Sequence, residues 1–205
     1  MLKLIIKGSV KIEVVEVFRR EGLLRKLLQE RMEKGPVLRK LREEFFKASS
    51  KIVDVTGFDG TLSEDVAKAK AAVVIFSPFL KLDRVKLFLS IKSVKDALNR
   101  GVKFVVVTRP AKRGKGGVSD PEEHGKATKL LRETGVKVVE IDALHFKAVI
   151  IDEEIIYLGS INPLSVTPIE YYPPDYMVRF VSEALVDEVV ENVLSRDKYE
   201  EILKE

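Results

Sequence analysis

Apolar positions recur along the chain in two different rhythms. Through roughly the first fifty residues they return at helical spacing: Val17, Leu24, Leu27 and Leu28 share one face, and after the Gly35-Pro36 break Leu38, Leu41, Phe45 and Ala48 share another. Two amphipathic helices are predicted there, and residues 2–7 can be read instead as a short strand. Apolar stripes of this kind usually bury core area, so these helices are expected to pack on the main domain or on a partner, without chemistry of their own.

From residue 52 the pattern changes to short β-branched runs separated by helical stretches, as in an α/β domain. Thr61 or Ser63 can cap a helix through SEDVAKAK. The run AVVIFSPF (72–79) is continuous and apolar, as expected of a strand covered on both faces, and it ends at Pro78, which cannot donate to a central ladder. A helix at about 93–100 stops at Gly101. Strand 104–108 leads into the basic, glycine-rich loop RPAKRGKGG, and a helix from Glu122 to Thr134 ends at Gly135 before a strand at 136–141. A further strand at YMVRF and a helix near 183–194 complete the expectation. Residues 1–55 thus read as a helical extension and 56–205 as the α/β domain.

Composition narrows the chemistry. The chain of 205 residues has room for one sizeable core and contains no Cys, so a disulfide framework and a thiolate metal site are both excluded. With only two histidines, His124 and His145, a histidine-rich zinc cluster is excluded too. The opening residues are interrupted by charge every few positions, which fits neither a secretory signal nor a spanning helix, so a soluble, cytoplasmic protein without membrane association is expected. Charge is high but nearly balanced, 36 basic against 32 acidic residues, and the net +4 points only weakly to polyanions. Abundant Lys, Glu and Arg with a single Gln, Gln29, is a profile that recurs in heat-adapted proteins.

The chemistry concentrates in LHFKAVIIDEEIIYLGSINPLS. Strand-like alternation over 144–151 sends His145, Lys147, Val149 and Ile151 to one face and Phe146, Ala148 and Ile150 to the other. Glu153-Glu154 can turn the chain, and IIYLGS can return antiparallel, after which Ser160 and Asn162 share a face. An imidazole can attack phosphorus, an ammonium can neutralise equatorial charge, and a hydroxyl and an amide can donate to the same oxygens. A phosphate site without a metal follows from these four side chains.

The order His145, any residue, Lys147, four residues, Asp152, six residues, Gly159-Ser160, any residue, Asn162 resembles the signature of the phospholipase D superfamily, without insertion or deletion. The resemblance covers roughly the last 145 residues and implies a mixed sheet flanked by helices. It implies that His145 is the nucleophile forming a phosphohistidine, that Lys147, Ser160 and Asn162 bind the phosphate, and that Asp152, with Gly159, is structural. It also implies an acidic residue that orients the imidazole, for which Asp175 is the first choice and Glu170 the second. No cofactor is implied. Members need two such motifs and this sequence holds one, so a homodimer sharing one site is expected, as in the short bacterial nucleases of the family. His124 has no Lys two residues on and reads as a surface residue at a helix N-terminus.

Arg109, Lys112, Arg113 and Lys115, with Lys126, Lys129 and Arg132 on the next helix, could track a nucleic-acid backbone or form a solvated loop. GSINPLS followed by DYMVRF is similar to phospholipase D-type modules attached to DNA helicases and repair nucleases, which favours a nuclease acting on nucleic acid and a helicase or repair partner recruited by the N-terminal helices. A phospholipid-cleaving or phosphatidyl-transferring enzyme is the rival, and a non-catalytic DNA-binding or assembly module a third reading. Phe79, Tyr171 and Tyr172 are read as packing residues in preference to base-stacking ones.

Overall fold

Residues 50–166 and 175–204 are described by the computed structural model, within a unit spanning Ala48–Glu205. The helices expected before residue 50 lie outside the described residues, as do Glu170, Tyr171 and Tyr172. In chain order the elements are β1 (Ser50–Asp54), α1 (Val55–Val66), β2 (Ala72–Phe76), α2 (Leu82–Ser90), α3 (Lys92–Asn99), β3 (Lys103–Thr108), α4 (Pro121–Glu133), β4 (Lys137–Glu140), β5 (Ala148–Ile151), β6 (Ile155–Gly159), β7 (Tyr176–Val181), α5 (Glu183–Val189), a π-helical turn (Val190–Leu194) and α6 (Arg196–Leu203).

One mixed sheet of seven strands results, in the order β1-β7-β6-β5-β2-β3-β4. β2, β3 and β4 are parallel, and every pairing from β2 through β5, β6 and β7 to β1 is antiparallel. Alternate strand residues supply two cores. Val73, Ile75, Phe104, Val106, Val149 and Ile151 pack with Phe58, Leu62, Phe88, Ala97 and Leu131 of α1–α4. On the other face Val74, Phe76, Val105, Val107, Ala148 and Ile150 pack with Val186, Val190, Tyr199 and Ile202 of the C-terminal helices. A strand buried on both faces can be apolar throughout, which is why β2 reads AVVIF without a polar residue.

Several boundaries differ from the sequence expectation. The sheet reaches back to Ser50, because β1 pairs with β7 from Ser50↔Phe180 to Asp54↔Tyr176. The helix expected to start at Thr61 or Ser63 starts at Val55, capped by the Asp54 carboxylate, which accepts from Gly57 N at 2.8 Å. Gly57 and Gly60 disguise this helix as turn sequence. α2, whose N-cap Lys81 makes no side-chain cap, was not expected, and the helix near 183–194 stops as an α-helix at Val189 and continues as the π turn.

A buried polar cluster locks β6 and β7 onto α1. The Arg179 guanidinium donates to both oxygens of Asp65, at 2.5 and 2.7 Å, and the Tyr157 hydroxyl donates to the same carboxylate. β6, β7 and α1 are thereby fixed to each other.

Candidate active site

The carboxyl ends of β2, β3 and β6 and the amino ends of β5 and β7 meet at one edge of the sheet, since Phe76 pairs with both Val107 and Ala148, Ala148 with Leu158, and Gly159 with Met177. An open cleft of about 580 Å³ lies there, lined by His145, Phe146, Lys147, Leu158, Gly159 and Ser160. The alternation expected over 144–151 holds as a division of faces: Phe146 and Ala148 pack in the C-terminal core, and Val149 in the other. The strand itself begins only at Ala148, because its partner β2 ends at Phe76. Phe146 anchors the segment ahead of it, its ring edge-on to Phe76 with centroids 5.2 Å apart.

His145 is exposed in the cleft and Lys147 half-buried. The Lys147 ammonium donates to the His145 carbonyl at 2.9 Å. Burial is the main cause that lowers the Lys147 pKa, the like charge of Arg109 lowers it further, and Asp175 opposes both. The opposing Asp175 is half-buried just before β7.

Gly159 is dictated by contact distance. A Cβ there would lie 2.1 Å from the Tyr176 carbonyl oxygen. This close approach of β6 and β7 lets Ser160 N donate to Tyr176 O at 2.9 Å and Tyr176 N donate to the Ser160 hydroxyl oxygen at 3.1 Å. Tyr176, an exposed aromatic beside the serine, was not singled out from the sequence. Asn162 follows in a turn in which Ser165 N and Val166 N both donate to its carbonyl, each at 3.1 Å. Asn162 is outside the cleft lining, and its Oδ1 is buried without a hydrogen-bond partner among the described residues. The turn is tied to the loop after β2 by Leu164 N donating to the Ser77 hydroxyl at 3.1 Å and Lys81 N to the Leu164 carbonyl at 3.0 Å.

Asp152 lies at the opposite end of β5 from His145. Its carboxylate accepts from Lys70 N and Ala71 N at 2.8 Å and Ala72 N at 3.0 Å, while its own backbone is left-handed at φ 52°. It joins the β5–β6 turn to the start of β2, and reaches no group of the cleft.

The basic loop divides into two pairs. Arg109 donates to the Leu144 carbonyl at 2.6 Å and the Gly117 carbonyl at 3.2 Å, with its guanidinium 4.7 Å from the Phe79 ring centroid. Phe79 is thus covered by a cation. Lys112 pairs with Asp142 at 2.8 Å. Arg113 and Lys115 are exposed and form no ion pair among the described residues. Lys126, Lys129 and Arg132 are each matched by a glutamate on or beside α4.

His124 corrects the surface reading. It is only 2% exposed. Its Nδ1 accepts from Leu80 N at 3.2 Å and its Nε2 donates to the Arg109 carbonyl at 2.9 Å, which fixes a neutral imidazole with the proton on Nε2. The sequence held the signal: His124, Ala127 and Leu131 occupy one buried stripe of α4.

Among the described residues no helix is long and apolar enough to cross a membrane. Residues 62–165, just over half of the 205, match the family described as "Cardiolipin synthase, PLD-like domain". The chain belongs to the phospholipase D superfamily and is a phosphodiesterase-type member of it. Among solved structures it is similar to Nuc, a phospholipase D family member from Salmonella typhimurium, with TM-score 0.54 and 18% identity over 74% of this chain and 94% of that one. NucT from Helicobacter pylori gives 0.50 and 13% over 75% and 94%. The phosphatidylserine synthase of Haemophilus influenzae Rd KW20 gives 0.55 and 13% over 72% of this chain but 37% of that one. No curated protein sequence matches the chain.

Proposed function

We propose that the chain is a metal-independent nuclease that works through a phosphohistidine on His145, at a site completed by a second copy of itself. The observation that carries this reading is the meeting of His145, Lys147 and Ser160 in one cleft. The neutral imidazole attacks phosphorus, a P–N bond forms, and the P–O bond to the leaving group breaks. The leaving oxygen takes a proton from His145 of the second copy, which then removes a proton from the water that hydrolyses the P–N bond. His124 cannot serve as that second group, since it is buried and both its ring nitrogens are engaged.

Lys147 and Ser160 hold the phosphate oxygens in this scheme, joined by Asn162 from the turn that adjoins the cleft, and Lys147 exchanges the His145 carbonyl for the substrate. Asp175 orients the imidazole, with Glu170 as the second choice. Arg113 and Lys115, without an ion pair among the described residues and on the loop beside the site, favour a polyanionic substrate and so nucleic acid over a phospholipid. In this reading the N-terminal extension recruits a helicase or repair partner.

The test is incubation with single- and double-stranded DNA in excess chelator, beside His145→Ala. Chelator-resistant cleavage lost in the variant is expected. Cleavage only after a divalent ion is supplied would overturn the mechanism, and DNA binding without any cleavage would favour a non-catalytic module.

A further inference from the structure

Between Ile141 N and Ala148 the backbone that delivers His145 has no strand partner. Among the described residues it is held by Ile141 N to Thr108 O at 2.8 Å, Ala143 N to Gly116 O at 3.0 Å and a long Leu144 N to Ile141 O contact at 3.4 Å. Ala143 sits at φ 56°, a left-handed conformation that few non-glycine residues adopt. The last polar restraint before His145 is a side chain, Arg109 Nε on the Leu144 carbonyl at 2.6 Å.

The same guanidinium reaches the Gly117 carbonyl and lies on Phe79, so one side chain ties together the loop after β2, the glycine loop and the segment carrying the nucleophile. It is itself fixed from behind. Arg109 O accepts from the buried His124 ring, and Arg109 N donates to Pro78 O at 3.4 Å. Gly117 lets the loop close, since a Cβ there would lie 1.9 Å from the Lys112 carbonyl oxygen. A planar fork meeting two carbonyls while stacked on a ring is a role that Lys cannot fill.

We propose that Arg109 is a positioning residue of the reaction, holding the Leu144 peptide so that His145 and Lys147 are aimed into the cleft, and that it is not a contact for the nucleic-acid backbone. This rests on the phosphodiesterase reading above for its kinetic consequence, and on the hydrogen bonds alone for its structural one. The charge of Arg109 also acts on Lys147, in the direction that eases loss of its proton.

The experiment compares Arg109→Lys and Arg109→Gln in the full chain. With bis(p-nitrophenyl) phosphate, too small to reach the loop, both variants are expected to lose about ten- to a hundredfold in kcat with KM nearly unchanged, the scale of a misaimed nucleophile. Amide exchange over residues 143–148 should quicken in both. The salt dependence of DNA binding should keep its slope in Arg109→Gln. Unchanged exchange at 143–148, or a slope reduced by about one as for a lost phosphate contact, would overturn the proposal. If the wild type turns over no phosphodiester, the functional reading fails while the exchange and salt measurements still decide the role of Arg109. Arg109→Lys, which keeps the charge, guards against a global loss of fold in Arg109→Gln.

Discussion

The Lys147 ammonium rests on the carbonyl of His145, 2.9 Å away, so the cation proposed to bind phosphate is docked on the backbone of the proposed nucleophile. A cation held there lines the cleft and forms no ion pair among the described residues. Lys147→Met is expected to lower kcat by about a hundredfold or more while leaving the melting temperature nearly unchanged, because a preorganised charge is lost and little packing with it. Lys147→Arg should not rescue, since a wide planar fork replaces a point charge.

Burial and the neighbouring Arg109 make Lys147 give up its proton more readily than an ordinary lysine of pKa 10.5. The alkaline limb of kcat against pH should therefore fall below 10.5. In Asp175→Asn, which removes the opposing negative charge, the limb should move to still lower pH. A limb that does not move would mean that Asp175 does not act on the site.

Gly159→Ala places a methyl where the Tyr176 carbonyl now lies. β6 and β7 must separate, at a cost of about 1–3 kcal/mol or more, and the hydrogen bonds between Ser160 and Tyr176 are strained with them. Urea denaturation should register the loss of stability, and phosphodiesterase activity of the folded fraction should fall with it.

The neutral, buried His124 ring makes stability depend on pH. Burial lowers its folded-state pKa below the ordinary 6.5, so between the two values the unfolded chain binds more protons. This contribution is complete above about pH 6.5 and is lost as pH falls through the lowered folded value. Urea midpoints measured from pH 8 to pH 5 should decline in the wild type, and His124→Gln should remove that part of the decline.

Asp65→Asn leaves the Arg179 guanidinium largely buried beside a neutral partner and weakens the acceptor of the Tyr157 hydroxyl. Breaking such a pair costs about 3–5 kcal/mol. Calorimetry should show the loss, with no change in the position of the alkaline limb set by Lys147.

Much of this architecture is legible in the residues themselves. The apolar run of β2, the facing pattern of Phe146, Ala148 and Ile150 against Val149 and Ile151, and the spacing from His145 to Asn162 required only periodicity and motif. The first two turns of α1 escaped because Gly57 and Gly60 look like turn residues, and its cap at Asp54 is recognisable only once the helix is placed. α2 escaped because Lys81 gives no start signal, although Val85 and Phe88 are spaced for a buried helix face. Arg109 looked like one of four loop cations; its partners are backbone carbonyls 8 and 35 residues away in sequence, and carbonyls leave no mark on a sequence.

The most direct test of the central claim is covalent. A labelled oligonucleotide incubated with the protein in excess chelator, quenched in alkaline denaturant and mapped by peptide mass, should leave a phosphoryl adduct on the peptide containing His145 and none in His145→Ala. Turnover without an adduct, an adduct on another residue, or turnover that appears only when a divalent ion is restored would contradict the account.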